Sequence, residues 1–476
     1  MKAHAEGLNT VSNNLANVST VGFKQQSMLF SDIFYAGQGA MGNWWNAQEN
    51  SRVALGQTGM GVQVDSVRTL FTQGGYESSN TLTDLSLNGK GFFQVTDMEG
   101  NAFYTRAGDF RFDKQGFLKL PTGHVLTGYQ VDAQGNKGGA GPIQVDPNIT
   151  SPAKGTSKIT MPLNLGLTED RTSDADNPYF GLLNAWDSAA EPPLSSSNYG
   201  YSEPLSVYDA DGARKNVTVY FDGAPDTTGG KTIEFLVGGQ DGEALMTGTL
   251  HFDSSGQLVD MSAFTPTGDN VHDLSTWKPA SLEGGVPQFS YNGQTMGLDF
   301  GIQAQGGWQN APASAADVTT DQSLLSSMGT VVRSGDPTTA YKGSSSSKGS
   351  IQDGYGEGTL SYMDITTDGK IVAKFSNGQT QTLYEIPVCR FTSEDGLHRE
   401  GNNLFSATAE SGTMEMGTAG TENYANVHAY SLELSNVDMA REMVNMIITQ
   451  RGFQSNSKAI TTADTMLQRA IELKRA

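Results

Sequence analysis

The chain has 476 residues, a formal net charge of −21, 17% charged residues, 57 glycines and one cysteine. That length supports more than one domain with its own core, the acidity opposes binding to nucleic acid or an anionic membrane, and the lone Cys389 excludes an internal disulfide. Glycine well above its usual share, with few charges, suits tightly turned β structure better than solvated helices.

The charge is unevenly placed. Residues 1–24 carry +1 and residues 438–476 carry +2, so the acidity belongs to the middle of the chain. All 16 prolines lie between Pro121 and Pro387, which leaves both ends free to run as helices. No apolar stretch approaches the roughly 18 residues that span a membrane. The N-terminus mixes apolar and polar residues and lacks the core of a signal peptide, so export would proceed without a cleaved leader.

Taken in chain order, Leu8, Val11, Leu15 and Val18 recur at spacings of three and four, which predicts a helix with one apolar face. Asn13, Asn14 and Asn17 lower its propensity, so the helix needs a partner. Residues 25–70, with Phe30, Trp44, Trp45 and many Gly and Gln, show neither helical nor strand period and are expected to form an extended connector.

Asp-x-x-Gly then recurs, beginning at Asp97, Asp113, Asp132, Asp209 and Asp253. Aspartate opens a type I turn and glycine takes the left-handed position that closes a bulged hairpin, so these mark β-hairpins. As calcium loops they lack the run of oxygen ligands and the closing glutamate. Glycine, proline and serine clusters at 138–141, 147–152 and 343–350 suggest domain boundaries. They divide the middle into a β-rich inner domain from 71–153 and 346–431 and a β-rich outer insertion, 154–345, of one or two domains. Strand-like runs within the insertion lie at 205–208, 217–221 and 233–237.

At the C-terminus Met439, Met446, Phe453, Ile460 and Leu467 form an apolar column at seven-residue intervals. Met443 and Ile471 begin and end a second column that is polar between them, at Gln450, Ser457 and Asp464. The pattern fits a coiled-coil seam or an amphipathic helix packed on its own domain. Asp438 is placed to cap this helix, which would run about 57 Å if continuous, and Gly452 marks a possible bend. The chain is therefore expected to be mainly β, with 1–24 and 432–476 forming a terminal helical core domain.

Signs of chemistry are missing. The six histidines are scattered, and no Walker loop, nucleophile elbow or CxxC pair is present. Gly37-Gln-Gly-Ala-Met-Gly42 matches GxGxxG by letter only, with no convincing strand before it and no βαβ pattern around it. Cys389, in an apolar run, reads as a core residue. The expectation is a protein with no catalytic residue, cofactor or metal.

Asn13-Asn-Leu-Ala-Asn-Val-Ser-Thr-Val-Gly-Phe-Lys24, carrying Asn13, Asn14, Asn17, Gly22, Phe23 and Lys24, resembles the N-terminal signature of bacterial flagellar rod and hook proteins. Ser435-Asn436-Val437-Asp438, followed by Gln450-Arg451 and Phe453-Gln-Ser-Asn456, resembles their C-terminal signature. Phe71-Thr-Gln-Gly74, Leu87-Asn-Gly-Lys-Gly-Phe-Phe93 and Phe103-Tyr-Thr-Arg-Ala-Gly-Asp-Phe110 resemble the β-domain that rod and hook proteins share. Residues 160–165, Val207-Tyr-Asp-Ala-Asp-Gly212 and Gln352-Asp-Gly-Tyr-Gly-Glu-Gly358 resemble the hook branch in particular.

The resemblance implies a structural subunit of the flagellar hook, the curved tube that links rod to filament and transmits torque. Its terminal helices would pair as a coiled coil in the assembled polymer. Implied partners are copies of itself, the rod, hook cap and hook–filament junction proteins, and the type III export apparatus, with no membrane insertion. The location implied is extracellular, in the hook and basal body. A distal rod subunit shares both termini but should lack the insertion, and a surface adhesin would use the acidic middle instead. Family members usually carry further residues ahead of the position of Met1, which implies that the first helix and any export signal in it are incomplete here.

Overall fold

Each of the five Asp-x-x-Gly sequences closes a hairpin, and the aspartate does so in the same way every time. Asp97 Oδ1 accepts hydrogen bonds from the Glu99 and Asn101 amides at 2.9 and 2.8 Å, and Asp113, Asp132, Asp209 and Asp253 repeat the pattern. Gly100, Gly116, Gly135, Gly212 and Gly256 all sit at positive φ, between 80° and 89°, where a side chain would be strained. Strand pairing on either side of these turns builds a β-rich protein with one helix near each end, Lys2–Ala16 and Met439–Arg475.

The computed structural model describes residues 2–35 and 58–475, apart from 167–168, 173–174, 227–229, 269, 319 and 422. Gly37 to Gly42, Trp44 and Trp45 lie outside the described residues. The chain divides into two compact units, one of residues 1–149, 360–375 and 379–476, the other of 150–359 and 376–378.

In the first unit a sheet runs from Lys370–Phe375 through Thr380–Glu385, Val125–Val131, Phe93–Thr96, Ala102–Thr105 and Leu404–Ser406 to His398–Gly401. Its core holds Leu85, Leu87, Phe93, Phe110, Leu126, Ile371 and Val427. A second cluster joins Phe92, Tyr104, Phe391 and Phe405 around Cys389, whose thiol is pushed up to about 12 by burial. Such a thiol stays protonated and packs as a small apolar group.

Where the sequence shows no period, Gln26–Tyr35 and Thr58–Thr69 form a long antiparallel ribbon. Register shifts between Leu29 and Phe30 and between Asp32 and Phe34 break the alternation that would have announced strands.

The second unit is a meander of Tyr201–Tyr208, Arg214–Ala224, Gly230–Gly239, Ala244–Asp253, Leu258–Pro266 and Trp277–Pro279, each hydrogen-bonded to the next. One face packs through Phe221, Phe235 and Leu250 onto residues of the neighbouring sheet, among them Ile159, Phe289 and Leu298. The other face is covered by Phe180, Leu182, Trp186 and Val318. Gly230–Gly239 is therefore buried on both sides, which explains its nearly continuous apolar run.

A carboxylate interrupts that run. Glu234 is directly opposite Asp222 on the adjacent strand, and both are buried. The Leu182 amide donates to both Glu234 oxygens at 3.1 and 3.2 Å, and the Arg171 and Thr172 amides donate to Asp222 Oδ2 at 2.7 and 3.1 Å. Burial raises the Glu234 carboxyl well above its ordinary range, against the lowering effect of the Leu182 amide, and nearby Asp222 and Asp170 raise it further.

A carboxyl whose folded value exceeds its unfolded one stabilises the fold at low pH and loses that contribution as pH rises through the folded value. Thermal unfolding from about pH 5 to about pH 9 should accordingly show the second unit weakening toward alkali. Glu234→Gln should flatten that slope, and an unchanged slope would contradict the assignment.

Candidate assembly site at the chain termini

The two terminal helices pack against each other and run antiparallel. Asn14 Nδ2 donates to Glu442 Oε2 at 3.1 Å, Gly7 lies against Thr449, and His4 lies over Gly452. A Cβ on Gly452 would stand 3.0 Å from His4 Cε1, so this glycine admits a close neighbour within a helix that continues from Met439 to Arg475. The N-terminal helix turns Ala3, Gly7 and Asn14 inward. Small residues on that face let the backbones approach and leave Leu8, Val11, Leu15 and Val18 half-buried.

The C-terminal helix begins as its sequence suggests. Asp438 Oδ1 accepts from the Ala440 and Arg441 amides at 2.9 and 3.2 Å, satisfying donors that the helix itself leaves unpaired. Met446 and Phe453 fall on the half-buried face together with Thr449 and Gly452. Met439, Met443, Ile460, Leu467 and Ile471 are exposed, as are Gln450 and Arg451. From 458 to 471 the helix is exposed on every side, and its exposed surface includes Ile460, Met466, Leu467 and Ile471 at 57–67%.

Between the helices and the β core, Lys24 of the N-terminal motif and Arg106 and Gly74 of the β-domain motifs converge on one carboxylate. Glu433 is fully buried, and so is Lys24, whose Nζ donates to Glu433 Oε1 at 2.6 Å and to the Thr72 carbonyl at 2.9 Å. Arg106 Nη1 donates to Glu433 Oε2 at 3.2 Å while its Nη2 donates to the Gly89 carbonyl at 2.7 Å. The Gly74 amide adds 3.1 Å to Oε1, and the Glu433 carbonyl accepts from the Gly22 amide at 2.7 Å. Burial lowers the Lys24 ammonium from its usual range, and the attraction of Glu433 opposes that shift.

Two glycines are required here. A Cβ on Gly22, at φ +67°, would meet Ala107 N at 2.5 Å, and one on Gly74 would meet the Leu434 carbonyl at 2.0 Å. Phe23 is buried beneath the Arg399 guanidinium, 5.3 Å from its ring centroid.

Asparagines bind the strands together beside this centre. Asn436 Oδ1 accepts from the Gln25 amide at 2.7 Å, and its Nδ2 donates to the carbonyls of Leu70 and Thr72 at 2.8 and 2.9 Å. Asn14 pairs with the Gln26 backbone in both directions, at 2.8 and 2.9 Å. Gln25 Nε2 donates to Glu442 Oε1 at 2.9 Å. Asn13 reaches Gln26 Oε1 at 3.0 Å, Asn17 folds back onto the Asn13 carbonyl at 2.9 Å, and the Ser435 hydroxyl accepts from the amide of buried Val437.

The cations are consumed by one carboxylate and backbone carbonyls, and among the described residues no group of His, Cys, Asp and Glu is disposed to hold a metal ion. What the geometry does is hold two segments some 400 positions apart in one rigid junction, with the helices projecting from it. Sequence reasoning missed Glu433, Glu442 and Arg106.

Four family models match in chain order. Residues 1–24 match flagella basal body rod protein, 86–161 the flagellar hook protein FlgE/F/G D1 domain, 182–355 the flagellar basal body protein FlaE D2 domain, and 429–473 flagellar basal body rod FlgEFG protein C-terminal. The flagellar hook protein FlgE of Escherichia coli strain K12 is 29% identical over 485 residues, covering 100% of this chain and 98% of that protein. FlgE of Borreliella burgdorferi is 29% identical over 481 residues, covering 100% and 97%. A solved structure of Helicobacter pylori flagellar hook protein FlgE2 aligns at 13% identity with a TM-score of 0.43, covering 74% of this chain and 99% of that one, a likeness too slight to bear on the fold.

Replacing Glu433 by Ala would strand two buried cations at once. The expected cost to the first unit is about 3–5 kcal/mol, read from urea unfolding. A change under about 1 kcal/mol, the range of exposed ion pairs, would contradict the role given to this carboxylate.

Proposed function

The chain belongs to the flagellar hook protein family, and from that premise we propose that its terminal helices are the elements through which copies polymerise into the hook. The family is one of structural proteins of the flagellum. The observation that carries the proposal is the bare C-terminal helix. Most helical stability in proteins comes from packing of an apolar face, and over 458–471 this helix is exposed on every side, with Ile460, Leu467 and Ile471 on one face that other copies would bury.

The ribbon supports the same reading. A two-stranded ribbon is marginally stable by itself, and this one exposes Leu29, Phe30, Val62 and Val67. Covered by neighbouring subunits, these side chains would add cohesion along the tube. The apolar column at Met439, Met446, Phe453, Ile460 and Leu467 forms the seam of a coiled coil in the polymer, and the polar side at Gln450, Ser457 and Asp464 faces water. The acidic surface of the β-rich units favours their solubility.

The finer partners follow from position in a tube: rod below, hook–filament junction above, a cap at the growing end, and the type III export apparatus that delivers subunits. The D2 match and the second unit favour the hook over the distal rod.

Electron microscopy of cells lacking this protein should show finished rods without hooks, and intact hooks would overturn the proposal. In cells carrying Ile460→Asp with Leu467→Asp, the β units should fold with unchanged thermal midpoints while hooks fail to form. Normal hooks in that strain would remove the C-terminal helix from the assembly role.

A further inference from the structure

Within the second unit a cavity of about 460 Å³ is lined by the strands Ala244–Asp253 and Leu258–Pro266 and by residues 321–327. Its wall begins with two cross-strand pairs, Thr249 opposite Ser262 and His251 opposite Asp260. The Thr249 and Ser262 hydroxyls are hydrogen-bonded to each other at 2.8 Å, and Gln322 Nε2 donates to Thr232 Oγ1 and to His251 Nδ1, both at 3.2 Å. Asp260 Oδ1 accepts from the Met261 and Met328 amides at 2.9 and 2.7 Å. Asp321 Oδ1 accepts from the Ser323 amide and hydroxyl at 2.9 and 2.8 Å.

These bonds orient the side chains and leave part of each unused. Both carboxylates keep an open Oδ2, while Gln322 Oε1 is buried without a partner. So is the hydroxyl of Ser326, a residue only 2% exposed. A buried polar atom left unpaired is costly, and two of them in one cavity point to a group supplied from outside the chain.

The open positions select that group's chemistry. Two carboxylates with no Lys or Arg in the lining repel an anion. An apolar ligand would leave Ser326 and Gln322 unpaired. An ammonium ion brings donors only, whereas the Ser326 hydroxyl also needs an acceptor. Among the described residues no group is disposed to hold a metal ion. A neutral polyol meets every requirement: its hydroxyls donate to Asp260, Asp321 and Gln322 and accept from Ser326. Buried Met261 and Leu325 offer its C–H groups an apolar surface. We propose that this cavity binds a neutral saccharide through its hydroxyls.

The test is saturation-transfer NMR on the purified full-length chain, with D-glucose, D-galactose, D-mannose and N-acetyl-D-glucosamine as probes and putrescine as a cationic one. At least one sugar should bind saturably, with a Kd of about 1 mM. Ser326→Ala removes an unpaired hydroxyl, so the variant should melt no lower than wild type while binding that sugar about tenfold more weakly. Asp260→Asn retains an Oδ1 for the two amides and should weaken the same sugar about tenfold. If none of the four sugars binds saturably, water alone satisfies the cavity and the proposal is overturned. Undiminished sugar binding by both variants, or tighter binding of putrescine than of every sugar, overturns it as well.

Discussion

A carboxylate buried between two cations is stable only while both remain in place, and this chain puts that constraint at Glu433. Removing Glu433, Lys24 and Arg106 from water costs several kcal/mol per ion, recovered only through close geometry and hydrogen bonds to the remaining polar atoms. Both Glu433 oxygens are used, and Lys24 and Arg106 each make a further bond to a backbone carbonyl. The pairing therefore selects one arrangement of three segments: the strand entering the C-terminal helix, the end of the N-terminal motif and the loop carrying Arg106. Gly22 and Gly74 belong to the same constraint, because any side chain at either would push the segments apart.

From this junction the helix pair acquires its direction. Asn14, Gln25 and Glu442 carry the hydrogen bonding from the β core into the helices. The pair then packs by small residues, Ala3 and Gly7 on one side and Gly452 on the other. Packing of this kind brings backbones close but buries little apolar area, so most large side chains of the C-terminal helix remain available to other chains. A rigid base with a sparingly packed helix pair is what a subunit needs if its cohesion is to come from copies of itself.

The sequence disclosed those features whose signal is local. Asp-x-x-Gly specifies a turn in four residues, and all five such turns are present. Asp438 as a cap depends only on the residues after it. The heptad column was visible too, but periodicity defines a face without naming its neighbour. It could not show that Met446 and Phe453 are half-buried on the face that Thr449 and Gly452 turn to the N-terminal helix, while Ile460 and Leu467 are exposed. Gly452 read as a bend because its reason, the His4 ring, lies some 450 residues away. Glu433 was hidden for the same cause: in Leu432-Glu433-Leu434 an acidic residue between leucines looks like the solvent side of a strand, and only the fold places Lys24 and Arg106 opposite. The 26–69 ribbon escaped because its bulges destroy the two-residue period, and Glu234 escaped because the second unit covers both faces of its central strand.

The two ends of the chain thus play different parts, one segment of each locked into the β core and one left incomplete. Amide hydrogen exchange, compared residue by residue between monomer and polymer, tests this division most directly. The account predicts that amides of 454–471 exchange freely in the monomer and become strongly protected in the polymer, while those around Lys24 and Glu433 are protected in both. Equal protection of 454–471 in the monomer, or no gain on polymerisation, would contradict it.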